Sequence, residues 1–123
     1  MRFHHARVIA VAAVLVGIGT LFSITHLDAQ TPGEVRAQDL RVRADQGNAV
    51  AEYTLGLMYA NGDGVEKDDV EALTLFTRAV EHAFGEEYDV YSEERDTLAA
   101  RMTGEQVAEA RRRASEWEPM PVP

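Results

Sequence analysis

The chain has 123 residues, no cysteine and a formal net charge of −9, which is room for one small domain. Without cysteine there is no disulfide framework, no thiolate metal site, no catalytic thiol and no cysteine for lipid attachment. So acidic a surface is repelled by nucleic acid and by anionic lipid, and neither is an expected partner.

Met1 to Arg7 carries Arg2 and Arg7 and no acid, and Val8 to Ile24 is then free of charge. This is the basic n-region and apolar h-region of an export signal. The run falls a little short of the ~20 apolar residues that a spanning helix needs. Cleavage after Ala29 puts a small residue at −1, but Leu27 at −3 departs from the usual small-x-small pattern. Residues 1–29 are therefore expected to be a signal peptide, with a signal anchor as the alternative. Either way the basic flank stays inside, and Gln30 onward is exported to the periplasm or the periplasmic side of the inner membrane. His4, His5 and His26 fall in this segment and are poor candidates for a site in the mature chain. Removing it leaves 10 basic and 20 acidic residues.

Thr31-Pro32-Gly33-Glu34 reads as a helix start, with a Thr cap, Pro at the first helical position and Glu three residues after the cap. That helix is expected to reach about Gln46 and to stop at Gly47-Asn48, with Ala37, Leu40 and Ala44 as a thin apolar stripe. A second helix spans about Ala49 to Asn61. Ala51, Leu55 and Met58/Tyr59 form one apolar stripe on it, and Val50, Tyr53, Leu57 and Ala60 another. A helix apolar on two sides packs between neighbours. Gly56 in its interior costs about 1 kcal/mol relative to Ala, so its expected purpose is a close crossing of a facing helix. Gly62 and Gly64 end the helix and allow a left-handed turn. Asp68 or Asp69 caps a third helix that runs to about Ala83, with Ala72, Leu75/Phe76, Ala79 and Ala83 as its stripe.

Together these positions make a frame from Ala44 to Gly85: Ala44, Gly47, Ala51, Leu55, Gly56, Tyr59, Gly62, Gly64, Asp68, Ala72, Phe76 and Ala79. The frame resembles the Sel-one-like repeat, a relative of the tetratricopeptide repeat with a longer interhelical loop. Leu55-Gly56-x-x-Tyr59, Ala72-x-x-x-Phe76 and Ala79 carry the likeness, and Gly62-Asp63-Gly64-Val65-x-Lys67-Asp68 is its most specific part. The resemblance implies an all-α fold, a short α/α solenoid that serves as a protein-binding adaptor with no catalytic residues to carry over. A second copy beginning near Gly85 fails, because the same offset puts Asp89, Glu93, Glu94 and Thr97 where small, apolar or aromatic residues are needed.

In place of a second copy, residues 87–118 or so look like a terminal helix pair that closes the open end of the stack. Tyr88, Tyr91, Leu98 and Met102 share one helical face, and Val107, Ala110, Ala114 and Trp117 share another. Thr103 with Gln106 is a capping box that opens the last helix. Pro119, Pro121 and Pro123 then make residues 119–123 a proline-rich tail. The helical repeat domain is thus expected to occupy residues 30–118.

Several groups look chemical without the pattern that chemistry needs. Asn61, Asp63, Glu66, Asp68 and Asp69 invite a calcium reading, but Val65 and Glu66 stand where an EF-hand loop needs an oxygen ligand and glycine. His82 is expected to make a favourable contact with its helix dipole and to have no ligand-type partner. Ser92 and Ser115 have no histidine at a spacing that suits a nucleophile. Arg111-Arg112-Arg113 is expected to be a solvated face with Glu109 paired to Arg113, the alternative being a docking patch for an acidic partner or for phosphates on the outer side of the membrane. Glu86, Glu87, Asp89, Glu93, Glu94 and Asp96 form the matching acidic stretch.

The expected function is a non-catalytic adaptor of the cell envelope, using no cofactor and no metal and binding a protein or peptide. The alternative is a membrane-tethered structural subunit of a larger assembly, with self-association possible. Tyr53 and Leu57 are the candidate partner-binding residues, unless the helix from Glu34 to Gln46 covers their stripe.

Overall fold

The computed structural model describes residues 29–123, so the expected signal peptide or anchor falls almost wholly outside the described residues. Thr31–Pro123 is one compact unit. It contains five helices and, among the described residues, no strand: α1 Pro32–Asp45, α2 Ala49–Asn61, α3 Asp69–His82, α4 Glu86–Ala100 and α5 Gly104–Glu116. None of them is long and apolar enough to cross a membrane.

Local chemistry sets the ends. Thr31 and Thr103 each close a full capping box, with Glu34 and Gln106 reaching back to the cap N–H. The Asn48 side chain accepts from Ala51 N–H at 2.9 Å and the Asp68 side chain from Glu71 N–H at 3.0 Å. Of the two aspartates at the start of α3, then, Asp68 is the cap. Between α2 and α3 the chain turns through Gly62 (φ 67°) and Gly64 (φ 70°). Lys67 Nζ donates to the Ala60 carbonyl at 3.2 Å and Asp68 N–H to Tyr59 at 3.0 Å. These bonds satisfy carbonyls that the end of a helix otherwise leaves open. The loop lies hard against the start of α1, where a Cβ on Gly64 would stand 2.5 Å from the Gly33 carbonyl carbon.

Packing is centred on α3, which contacts α2, α4 and α5, while α1 packs on α2. Ala37, Leu40 and Ala44 of α1 meet Ala51, Leu55 and Met58 of α2, with Leu75 reaching in from α3. On the other side Ala60, Ala72, Leu73 and Phe76 join Leu98 and Ala110. Ala79, Val80 and Ala83 close against Tyr91. The two C-terminal helices pack on α3 rather than chiefly on each other. Both nonetheless join one cluster on the central helix, through Leu98 of α4 and Ala110 of α5.

Candidate functional site

The first helix pair carries an open groove of about 450 Å³. Ala37, Gln38, Arg41 and Val42 of α1 line it on one side, Leu55 and Tyr59 of α2 on the other, and Gly64 and Val65 close one end. Buried Ala37 and Leu55 make an apolar floor, and Val42 stands at the rim, 58% exposed. Val35, another exposed valine, lies two turns before it on the outward side of α1.

One wall is polar and held in place. Arg41 Nη2 donates to the Tyr59 hydroxyl, and its Nη1 bonds Glu71 Oε1 at 3.3 Å. The guanidinium carbon lies 5.4 Å from the centre of the Tyr59 ring. Glu71 also meets Arg113 Nη1 at 3.6 Å. Side chains from α1, α2, α3 and α5 thus fix the wall between them.

Tyr53 and Leu57 are not in this groove. Both lie on the opposite side of α2 from Leu55 and Tyr59, half-buried and packed among Ala60, Phe76 and Leu98. The Tyr53 ring stacks on Tyr91 of α4 with centroids 4.2 Å apart and planes 17° off parallel, and lies 5.6 Å from Phe76. Burial pushes both phenols above the ordinary tyrosine value, and Glu94 adds to the rise at Tyr53. Tyr53 and Leu57, the residues expected to bind a partner, thus pack against α3 and α4 and not against the helix from Glu34 to Gln46, and each keeps part of its surface exposed.

Behind the groove lies a polar cluster that sequence reasoning missed. Glu52 of α2 is 0% exposed and Arg78 of α3 is 4% exposed. Arg78 Nε donates to Glu52 Oε1 at 3.0 Å, and its Nη2 donates to the Ala44 carbonyl at the end of α1 at 2.6 Å. His82 Nδ1 lies 2.8 Å from Glu52 Oε2. The isolated histidine expected from the sequence has a carboxylate partner after all, thirty residues earlier in the chain. Burial pushes the Glu52 carboxyl above its ordinary value, and the bonds and charges of His82 and Arg78 pull the other way. A signal was there to be read. Glu52 shares a face with Leu55/Gly56 and Tyr59, and Arg78 with Leu75 and Ala79, so opposite charges sit on two stripes that face each other.

The basic run is held by its own helix. Glu109 accepts from Arg113 Nε at 2.8 Å and from Arg112 Nε at 3.0 Å, and Arg112 Nη1 also donates to Glu116 at 2.6 Å. Those two arginines hold the Glu109 carboxyl down at about 2. Five of the six acids named on α4 are exposed and Glu94 is half-buried. Asp68 and Asp69 serve as the cap of α3 and as the partner of Lys67 at 3.4 Å. Among the described residues no cluster of three or more histidine or acidic side chains is placed to hold a metal ion. Ser115 Oγ donates to the Arg112 carbonyl at 2.8 Å, and Ser92 Oγ is buried without a partner.

No protein-family model, no curated protein and no solved structure matches this chain.

Proposed function

We propose that this chain is a non-catalytic adaptor of the bacterial cell envelope, built on a Sel-one-like repeat as a short α/α solenoid, and that it binds a protein or peptide in the groove between α1 and α2. One observation carries the reading: an open apolar trough on the first helix pair, floored by Leu55 and Ala37 and walled by the fixed Arg41–Tyr59–Glu71 set. Apolar floors with a few placed polar groups are what peptide and ligand grooves need. Export is supported by Arg2, Arg7 and the uncharged stretch Val8 to Ile24.

The alternative, a membrane-tethered subunit of a larger assembly, is favoured by one feature. Val35 and Val42 leave α1 with an exposed apolar edge at the start of the stack, where repeat arrays normally carry a further unit or a polar cap.

A photo-crosslinker placed at Val42 in the full chain tests the adaptor reading in native envelopes. A discrete product that Leu55→Glu or Arg41→Glu abolishes supports it. Products formed equally well from a probe on exposed α4 positions such as Glu93 would overturn it. A product consisting only of a second copy of the chain would favour the alternative.

A further inference from the structure

The two C-terminal helices follow the course of the pair before them. Gly47 and Gly85, Tyr53 and Tyr91, and Ala72 and Ala110 are separated by one and the same interval. Both glycines turn with positive φ, 82° and 59°, the two tyrosine rings stack, and both alanines are 0% exposed. The hairpin of α4 and α5 is thus a degenerate copy of the hairpin of α2 and α3. At the same interval Leu57 and Leu73 fall on Arg95 and Arg111. In the first hairpin those two leucines join one apolar cluster. In the second, the two arginines line one cavity of about 210 Å³ that α3, α4 and α5 share.

We propose that this cavity binds a single carboxylate carried on a short apolar stem, held between the guanidinium groups of Arg95 and Arg111.

Of the basic run on α5, Arg112 and Arg113 are engaged by Glu109, Glu116 and Glu71. Arg111 lines the cavity and, among the described residues, has neither a hydrogen bond nor an ion pair. Arg95 donates through Nε to Asp96 Oδ1 at 2.9 Å, and its outer nitrogens have no partner among the described residues. The Thr77 hydroxyl, also on the lining, donates to the Leu73 carbonyl at 2.8 Å. Two guanidinium groups against the one carboxylate of Asp96 leave the lining with an unbalanced positive charge. A monoanion neutralises it, whereas a doubly charged phosphate overshoots and is repelled by Asp96. The negative charge of the rest of the domain counts for less, because salt at about 0.15 M screens beyond about 8 Å. A guanidinium presents paired N–H groups in the geometry of a carboxylate. Leu73, Ala99 and Val107 supply the apolar part of the wall, which suits a hydrocarbon stem. The volume is below the roughly 300–1,000 Å³ of pockets that take drug-sized ligands, so the site admits one small group. That group is a short free acid or the last residue of a peptide, and the chemistry of recognition is the same for both.

Four probes are titrated into the full chain at about 0.15 M salt: butyrate, a tripeptide ending in valine, the C-terminal amide of that tripeptide, and inorganic phosphate. Arginine Nε–H resonances are followed by NMR. The expected result is a saturable shift at Arg95 and Arg111 with at least one of the two acids. Its Kd is on the order of 1 mM, as befits so small a probe, and neither the amide nor phosphate reproduces it. Tighter binding of butyrate identifies the ligand as a free acid, and tighter binding of the tripeptide identifies it as a peptide end. Arg111→Gln, at an exposed position, and Arg95→Gln are each expected to weaken binding about tenfold. Shifts that do not saturate, phosphate or the amide binding as tightly as the acids, or an Arg111→Gln chain that binds like wild type would each overturn the site. If Arg95→Gln does not fold, Arg111→Gln decides alone.

Discussion

Gly56 of α2 lies flat against the ring of Phe76 on α3: a Cβ there would stand 2.6 Å from Phe76 Cε1 and 2.7 Å from Cδ1, with the Ala72 carbonyl at 3.3 Å. Phe76 is 0% exposed, so its ring has nowhere to turn. Alanine at position 56 gains about 1 kcal/mol of helix propensity and incurs about 1–3 kcal/mol of overpacking. Clashes this short, with a ring that is walled in, put the cost at the upper end. Gly56→Ala is therefore expected to destabilise the fold by about 1–2 kcal/mol, read as a fall in Tm of roughly 4–8 °C per kcal/mol. An unchanged or raised Tm would show that the helices do not cross as described.

The Glu52–Arg78 pair is expected to behave as a coupled unit. Removing one member of a buried pair leaves the other charge without compensation, at a cost of about 3–5 kcal/mol. Arg78 also holds the Ala44 carbonyl, so its loss opens the end of α1 as well. In a double-mutant cycle of Glu52→Ala and Arg78→Ala, the double variant is expected to be more stable than additivity predicts by about 1–3 kcal/mol. Additive losses in urea unfolding would mean that the two side chains act independently.

Most of the helical layout was legible because local signals and burial pattern agree along the chain. The boxes at Thr31 and Thr103, the left-handed glycines at 62 and 64, and the small stripe at Ala72, Phe76 and Ala79 all stand where the residues put them. What stayed hidden depends on which of two apolar stripes a neighbour covers. α2 is apolar on both sides, and nothing local says that α4 would stack Tyr91 on Tyr53 while α1 covers the Leu55 side. Buried charge differs in kind: the stripes of α2 and α3 place Glu52 and Arg78 face to face, whereas His82 reads as a surface residue until the fold brings it within hydrogen-bond distance of Glu52.

The two sides of α2 are expected to respond differently to substitution. Tyr53→Ala empties a half-buried stacked site and is expected to cost about 2–3 kcal/mol, whereas Tyr53→Phe keeps the stack and stays within about 0.5 kcal/mol. Val42→Glu, at an exposed rim, is also expected to stay within about 0.5 kcal/mol. Thermal unfolding of the three variants checks this. A Val42→Glu chain that melts far below wild type would mean that the groove is covered by another part of the protein.

Two carboxylates are expected to set opposite pH trends. Glu52 binds its proton more tightly in the folded chain than its ordinary value of 4.5, because burial disfavours the charged form. From about that value up to the raised one the native state holds more protons than the unfolded state, so stability falls as pH rises. Glu109 is held down at about 2 by Arg112 and Arg113. Its contribution is complete above the ordinary carboxylate range and is lost as pH falls through about 2. Its exposure on α5 keeps the effect small, since surface pairs are screened. Urea midpoints measured from pH 4 upward are therefore expected to decline more steeply in wild type than in Glu52→Gln, in which the neutral amide has no proton to lose. A carboxyl titration by NMR is expected to place Glu109 well below the other exposed glutamates, and Arg112→Gln is expected to bring it part of the way back. Parallel pH profiles for wild type and Glu52→Gln would mean that Glu52 does not change its charge in this range, and the burial argument for it would fail.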